Sequence, residues 1–378
     1  MKLAIFTLVQ HSNKGGKYYG YAPYVNEMNV WGTYADDIVV VGINKPNNEV
    51  DAIDTAYTQK NIRFVPVPNF NILGGVAILK TLIKFPYIFF KCVRVMRKAD
   101  HIHIRCPSNV GLIACFAQVL FPSKQKSTKY AGNWDPDSNQ PWTYRLQQTI
   151  LRNTFLTRNM KVLVYGDWPG ETSNVYPFIS ATYKDEERVP FSPKNYTEEL
   201  VFVFAGMLVP GKRPLLTIQF IEQLNQQGIP ARLELFGDGP LRSELEMYIA
   251  QQKLETCIIM HGNQDKTVVK AALQTAHFNM LLSKSEGWPK AVAEGMFFGC
   301  IPVSTAVSCV HWMMGYGERG ILVEPHLETA VAEFIKVLNS ENLDRMAQQA
   351  MDWSQAYTFD RLEEDIQKVL EGTFESRV

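Results

Sequence analysis

The run Met280-Leu-Leu-Ser-Lys-Ser-Glu286-Gly-Trp-Pro289-Lys-Ala-Val-Ala-Glu294-Gly-Met-Phe-Phe-Gly299 joins the end of an apolar strand to a polar loop and a helix start. Pro289 suits the first turn of a helix, where its missing N–H would have no partner anyway. The amides just after it, at Lys290 and Ala291, are then expected to point out of the helix end. Together with the helix dipole they make an anion site suited to a diphosphate. Glu286 precedes the helix. Glu294 lies five residues past Pro289, about 7–8 Å along the axis at about 1.5 Å per residue. The two carboxylates can therefore address groups on opposite sides of the phosphates. A nucleotide sugar has hydroxyls on both sides, the hexose on one and the ribose on the other. The competing reading makes Glu286 a helix cap and Glu294 a solvated side chain. For a bare pair of carboxylates at this spacing that reading prevails, so the rest of the chain has to decide.

Outward from that segment, short apolar β-branched runs alternate with helical patterns. Leu200–Ala205, Arg232–Phe236, Cys257–His261, Phe278–Leu282, Ile301–Ser304 and Ile321–Val323 read as strands. Helical patterns fill the intervals between them. Before residue 188 the same rhythm runs through Lys2–Val9, Asp37–Ile43, Ile62–Val67, His101–Arg105, Thr128–Gly132 and Lys161–Tyr165. Arg188–Thr197, with Pro190 and Pro193, breaks the rhythm and reads as a linker. The fold class expected is α/β, with two Rossmann-like, doubly wound parallel sheets. Residues 1–195 form one domain and 196–356 the other. Ligands of such sheets bind beyond the carboxyl ends of the strands, so an interdomain cleft is expected between them.

The length of 378 residues also fits two domains. Net charge is zero, but residues 1–198 carry 23 Lys and Arg against 15 Asp and Glu, and the remainder carries the reverse. A basic half points to an anionic partner or surface. The six cysteines form no CxxC pair and no zinc-like spacing, as expected of thiols in a reducing compartment. Met1–Val9 reads as a first strand and not a signal peptide. No run approaches the length of a membrane span. A cytoplasmic enzyme is expected, with a peripheral position on the inner membrane face as a further option.

The segment Ser283–Glu294 resembles the E-x7-E signature of the retaining GT-B glycosyltransferases of family 4. The resemblance extends in order through Ala205-Gly-Met-Leu-Val-Pro-Gly-Lys212-Arg-Pro, Leu235-Phe-Gly237-Asp-Gly239-Pro-Leu-Arg, Met260-His-Gly262, Gly299-Cys-Ile-Pro302-Val-Ser and Gly320-Ile-Leu-Val. It is weaker in the first half. It implies a GT-B fold and transfer of a hexose-type sugar from a nucleoside-diphosphate sugar, UDP favoured and GDP the second option. The acceptor would be a glycan or a lipid-linked molecule, as in bacterial surface polysaccharide synthesis. By the same resemblance, Glu286 contacts the donor sugar and Glu294 the ribose. The Lys290 and Ala291 amides, with Gly287 beside them, hold the phosphates. Lys212 neutralises the leaving diphosphate, a task Arg213 can share. Base recognition falls near Gly262-Asn263, and a last helix over 357–378 crosses back onto the first domain. Related enzymes often have Arg where Met207 stands, and many have His near Asn133. Stabilising the leaving diphosphate with a fixed cation and helix-end amides requires no metal, and neither metal nor cofactor is expected.

Other signals are weaker. Gly15-Gly16 follows the first strand, and Gly16 is either a backbone contact near the donor phosphates or part of an ordinary turn. Gly237-Asp-Gly239 likewise suits a phosphate loop or a strand–helix turn. His101 and His103 share one strand face and read as packed residues rather than ligands. Arg105, Asn133 and Asp135 are acceptor-side candidates. Asp135-x-Asp137 resembles a metal-binding DxD of a different fold, against which the strand–helix rhythm speaks. Residues 78–98 are basic and aromatic, and read either as a helix lying on an anionic leaflet or as a core helix whose cations face water. No nucleic-acid partner is expected. A sugar-nucleotide epimerase and a non-catalytic nucleotide-binding protein are the rival readings. A dinucleotide oxidoreductase fits less well, because no GxGxxG follows either first strand.

Overall fold

The structure, a computed structural model, describes residues 1–70, 75–340 and 342–375, and for residues 75–83 the backbone only. Side chains of the basic stretch before Lys84 thus lie outside the described residues. The chain forms two compact units. One is Met1–Phe178 together with the C-terminal stretch from Glu363; the other is Ile179–Leu362.

The first unit contains β1 (Lys2–Lys14), β2 (Lys17–Tyr21), α1 (Ala22–Thr33), β3 (Asp37–Asn44), β4 (Asp54–Ala56), β5 (Ile62–Pro66) and α2 (Gly75–Lys98). It continues with β6 (His101–Cys106), α3 (Asn109–Ala117), β7 (Gln125–Tyr130), α4 (Trp142–Arg152), β8 (Met160–Val164) and β9 (Val175–Pro177). Strands β5, β3, β1, β6, β7, β8 and β9 lie side by side and parallel. Leu3–Phe6 of β1 are wholly buried, the continuous apolar run of a strand covered on both faces. The first strand does not stop at Val9. It runs on to Lys14 and turns back through β2, with Lys14 paired to Lys17. Gly15 and Gly16 form the tip, at φ 59° and 77°, as a two-residue hairpin turn of this hand requires. The hairpin turn places both glycines in the left-handed region.

His101 and His103 are packed. Both bond the Ser127 hydroxyl, at 2.8 and 2.9 Å, and His103 lies 4.1 Å from the Trp31 ring.

The second unit contains β10 (Leu200–Ala205), α5 (Pro214–Gln226), β11 (Ala231–Phe236), α6 (Arg242–Gln252), β12 (Ile258–Gly262), α7 (Lys266–Thr275), β13 (Phe278–Leu281) and α8 (Lys290–Phe297). Then follow β14 (Ile301–Ser304), α9 (Val310–Met313), β15 (Ile321–Leu322), α10 (Leu327–Leu338), α11 (Leu343–Gln355) and α12 (Phe359–Glu371), the last running from the second unit into the first. The six strands are parallel in the order β12-β11-β10-β13-β14-β15. Counted from β10 this is 3-2-1-4-5-6, the order of a dinucleotide-binding sheet, with its switch point between β10 and β13.

Both faces of that sheet are covered. On one, Phe202, Phe220, Phe278 and Phe334 pack ring against ring, Phe202 stacking on Phe278 at 4.9 Å. On the other, Val203, Phe236, Leu273, Phe297 and Phe298 form a buried cluster with Tyr183. The stretch Arg188–Thr197 is no free linker. Val189 packs on that cluster, and Lys194 Nζ donates to the Gly299 carbonyl at 3.2 Å. The prolines interrupt helical periodicity but do not prevent burial, so the chain divides earlier, at Phe178 and Ile179.

Candidate functional site

Gly295 places α8 directly against β13. A Cβ there would come within 2.5 Å of Asn279 Cβ, so only glycine allows this approach. From the other side α11 locks the helix: Ser354 Oγ donates to the Ala293 carbonyl at 2.7 Å and Gln355 Nε2 to the Phe297 carbonyl at 3.0 Å. Trp353 of α11 stacks on Trp288 at 6.2 Å. Glu294 and the first turn of α8 are left facing an open cavity.

That cavity has a volume of about 450 Å³, within the size range of small-molecule sites. It lies at the carboxyl ends of β10, β11 and β12 and against the start of α8, the helix that follows β13 across the switch point of the sheet. Its lining brings together Gly237, Asn263, Lys290, Ala291 and Glu294, five residues that the sequence had separated by up to 57 positions. Met207 also lines it and is 65% exposed. An apolar side chain therefore meets the cavity at this point.

The helix end differs from expectation in one respect. Pro289 is the N-cap, and the Lys290 amide donates back to the Trp288 carbonyl at 2.9 Å. That amide is already used. The Ala291 amide has no partner among the described residues, so it is the helix-end donor left for an anion. Lys290 contributes its side chain to the lining instead.

Glu294 accepts a hydrogen bond from Thr182 Oγ1 at 2.8 Å. Burial pushes its pKa above the ordinary carboxylate range; the Thr182 bond and the Lys290 and Lys266 charges oppose this without cancelling it. Thr182, Tyr183 and Lys266 were not legible as site residues. Thr182 and Glu294 are 112 positions apart, and no local motif marks either Thr182 or Lys266. Lys266 Nζ donates to the Thr182 carbonyl at 2.8 Å and sits 4.5 Å from the centre of the Tyr183 ring.

Glu286, Gly287, Lys212 and Arg213 lie beyond Pro289 and do not line this cavity. Lys212 Nζ forms an ion pair with Glu286, whose side chain is 8% exposed. Gly287 accepts from Cys309 Sγ through its carbonyl at 3.1 Å. Arg213 sits in the left-handed region, φ 49°, and its Nη1 donates to the carbonyls of Leu282 and Ser283, both at 3.0 Å. It ties the start of α5 to the end of β13, so its guanidinium is engaged with backbone.

In the first unit, Arg105 Nη1 pairs with Glu27 Oε1 at 2.8 Å, and Lys129 Nζ with Glu27 Oε2 at 3.0 Å. Burial pushes Glu27 up, but the two cations outweigh it and hold its pKa at about 2. Burial lowers Lys129 to about 8. Two cations thus face the one buried carboxylate of Glu27 at the carboxyl ends of β6 and β7, an arrangement that Arg105 alone did not disclose. Asn133 Oδ1 accepts from the Asp135 amide, and Asp135 Oδ1 from the Asp137 amide, each at 2.9 Å. The Asp-x-Asp pattern is thus a succession of side-chain-capped turns. Trp134 is fully buried, with Nε1 donating to Glu171 at 2.8 Å, so it packs the core and offers nothing to a sugar. Among the described residues no group of three His, Cys, Asp or Glu is arranged to hold a metal ion.

Comparison with known proteins agrees with this fold. Residues 185–353 match the family described as Glycosyl transferases group 1. A putative colanic acid biosynthesis glycosyltransferase, WcaL of Escherichia coli strain K12, is 29% identical over 166 residues, which is 42% of this chain and 41% of WcaL. The chain thus spans about two-fifths of that relative's length. Over the whole chain, sucrose-phosphate synthase from Thermosynechococcus elongatus superposes with a TM-score of 0.66 at 15% identity, covering 98% of both chains. Anabaena HepE in complex with UDP superposes with a TM-score of 0.67 at 16% identity, covering 98% of this chain and 100% of HepE. At such identities the likeness shows the fold. Residues 185–353 are therefore similar to the glycosyl transferases group 1 family, in a chain with the GT-B fold.

Proposed function

We propose that the chain is a retaining glycosyltransferase of family 4 that moves a hexose-type sugar from a nucleoside-diphosphate donor, UDP before GDP, to a glycan or lipid-linked acceptor. The observation that carries this reading is the Glu294 carboxylate beside the unengaged Ala291 amide in one cavity. The first suits a ribose diol and the second a diphosphate. The family match and the UDP held by HepE support it. In this reading Asn263 and Gly237 border the base and ribose. Lys290 adds charge near the phosphates, Glu286 contacts the sugar, and Lys212 meets the charge of the leaving diphosphate. No metal takes part. Arg105, Asn133 and Asp135 serve the acceptor. Synthesis of a bacterial surface polysaccharide, in the cytoplasm, is the setting that fits such a reaction.

Glu294→Gln tests the donor site. It removes a charged acceptor of two hydroxyl donors, and UDP affinity measured by calorimetry is expected to fall about a hundredfold. The same variant is expected to melt higher at neutral pH. The folded-state pKa of Glu294 is raised, so the folded state binds the proton more tightly than the unfolded chain. Its contribution to stability therefore declines as pH rises from the ordinary carboxylate range through the raised value. The gain in the variant should be larger at pH 7.5 than at pH 4. Unchanged UDP affinity removes Glu294 from the site. Free sugar isomer formed from the donor without any acceptor would favour the epimerase reading, and nucleotide binding without turnover of any donor the non-catalytic one.

No helix among the described residues is long and apolar enough to cross a membrane. We further propose contact with an anionic leaflet through α2. Its outer face exposes Tyr87 and Phe90, the latter at 68%, in line with exposed Arg94, Arg97 and Lys98. Each such cation near an anionic surface contributes about 1 kcal/mol. Replacing all three with Gln is then expected to weaken sedimentation with phosphatidylglycerol vesicles roughly a hundredfold. Equal sedimentation of variant and wild type would remove the leaflet from the account.

A further inference from the structure

The two oxygens of Glu294 are not equivalent. Oε1 takes the Thr182 hydroxyl at 2.8 Å, and no other hydrogen bond to this carboxylate occurs among the described residues. An ionised carboxylate offers about four acceptor sites, so the remaining ones stay available on a group that lines the cavity. Thr182 is itself held from several sides. Lys266 Nζ donates to its carbonyl at 2.8 Å. The next residue, Tyr183, has its ring 4.9 Å from Phe297 and 4.8 Å from Phe298. The Tyr183 carbonyl accepts from the Phe359 amide at 2.8 Å. The hydroxyl is thus delivered by a backbone strap anchored on α7, α8 and the start of α12.

We infer that Thr182 is a positioning residue: it fixes the plane of the Glu294 carboxylate, and thereby sets how strictly the site requires ribose over 2′-deoxyribose. The inference rests on the proposed role of Glu294. The terminal torsion of a glutamate is broad and has no strong intrinsic preference. A vicinal diol is gripped by both oxygens only when the carboxylate plane faces it. With Oε1 pinned, the plane is set before the ligand arrives, and loss of one ribose hydroxyl leaves an acceptor unmatched in a part-buried site. With Oε1 unpinned, the carboxylate turns to follow whichever hydroxyl remains, and discrimination relaxes.

The experiment compares dissociation constants of UDP and 2′-deoxy-UDP, and in parallel of GDP and 2′-deoxy-GDP, for wild type, Thr182→Val, Thr182→Ser and Glu294→Gln. Wild type is expected to prefer the ribonucleotide. Thr182→Val should reduce that preference about tenfold, mainly through weaker ribonucleotide binding, and Thr182→Ser should restore it. Equal loss of affinity for ribo- and deoxyribonucleotide in Thr182→Val would show general damage and overturn the inference, as would an unchanged ratio. If Glu294→Gln collapses the preference and Thr182→Val does not, only the role of Thr182 fails. If neither alters it, or wild type binds neither pair, the reading of Glu294 fails as well.

Discussion

Gly237→Ala is expected to lower the melting temperature of the second unit by about ten degrees or more. Gly237 directly follows β11 with φ at 131°, a conformation essentially confined to glycine. A Cβ at this position would lie 1.9 Å from the Gly206 carbonyl oxygen. Neither party can step aside. The Gly206 amide donates to the Phe236 carbonyl at 2.9 Å, and the Gly237 amide to the Gly262 carbonyl at 2.8 Å, so the ends of three neighbouring strands are bonded to one another. Backbone strain of about 1–3 kcal/mol and overpacking of about 1–3 kcal/mol act together on a stability of about 5–15 kcal/mol. Gly206→Ala is the control: its Cβ would meet nothing nearer than Phe204 at 3.8 Å, and its melting profile should match wild type. Calorimetry resolves the two units if they melt separately. A Gly237→Ala protein that melts with wild type would show that the strand ends move apart at little cost, and would leave this glycine to ligand approach alone.

What the sequence disclosed of the second unit was local by nature. Strand–loop–helix alternation, Pro289 before a helix, and Glu286 and Glu294 at fixed spacing are all short-range patterns, and the structure keeps each of them near its expected place. Contacts formed across the fold were not legible. Thr182 bonds to Glu294 only because the chain after Phe178 doubles back onto α8, and the prolines that made Arg188–Thr197 look like a linker say nothing about that return. Arg213 read as a free cation because the carbonyls it binds belong to residues 69 and 70 positions later. The Lys290 amide read as free because a proline N-cap allows more than one geometry, and here the turn closes on Trp288. In the first unit, Gly15-Gly16 was open between a ligand loop and an ordinary turn because strand length beyond Val9 depends on pairing with β2, which periodicity cannot show.

Lys212→Ala is expected to slow donor cleavage by about a hundred to a thousandfold, the usual effect of removing one fixed group that stabilises developing charge. The loop carrying Lys212 is held to the end of β13, since the Lys284 amide donates to the Gly211 carbonyl at 2.8 Å. Lys212 and Glu286 are thereby brought into an ion pair with the carboxylate almost fully covered. Two causes can therefore slow the variant. One is the absent cation at the leaving diphosphate; the other is Glu286 left unpaired in a buried place, which by itself costs several kcal/mol. The double variant Lys212→Ala/Glu286→Gln separates them, as a double-mutant cycle does for paired charges. It removes the stranded charge but does not replace the cation. If the cation matters, hydrolysis of UDP-glucose and other nucleotide sugars, followed by release of nucleotide, stays within about tenfold of the single variant. Recovery of the double variant to near the Glu286→Gln rate would instead assign the loss to the unpaired carboxylate, and Lys212 would then be a partner that shapes Glu286 and not the group that receives the leaving charge.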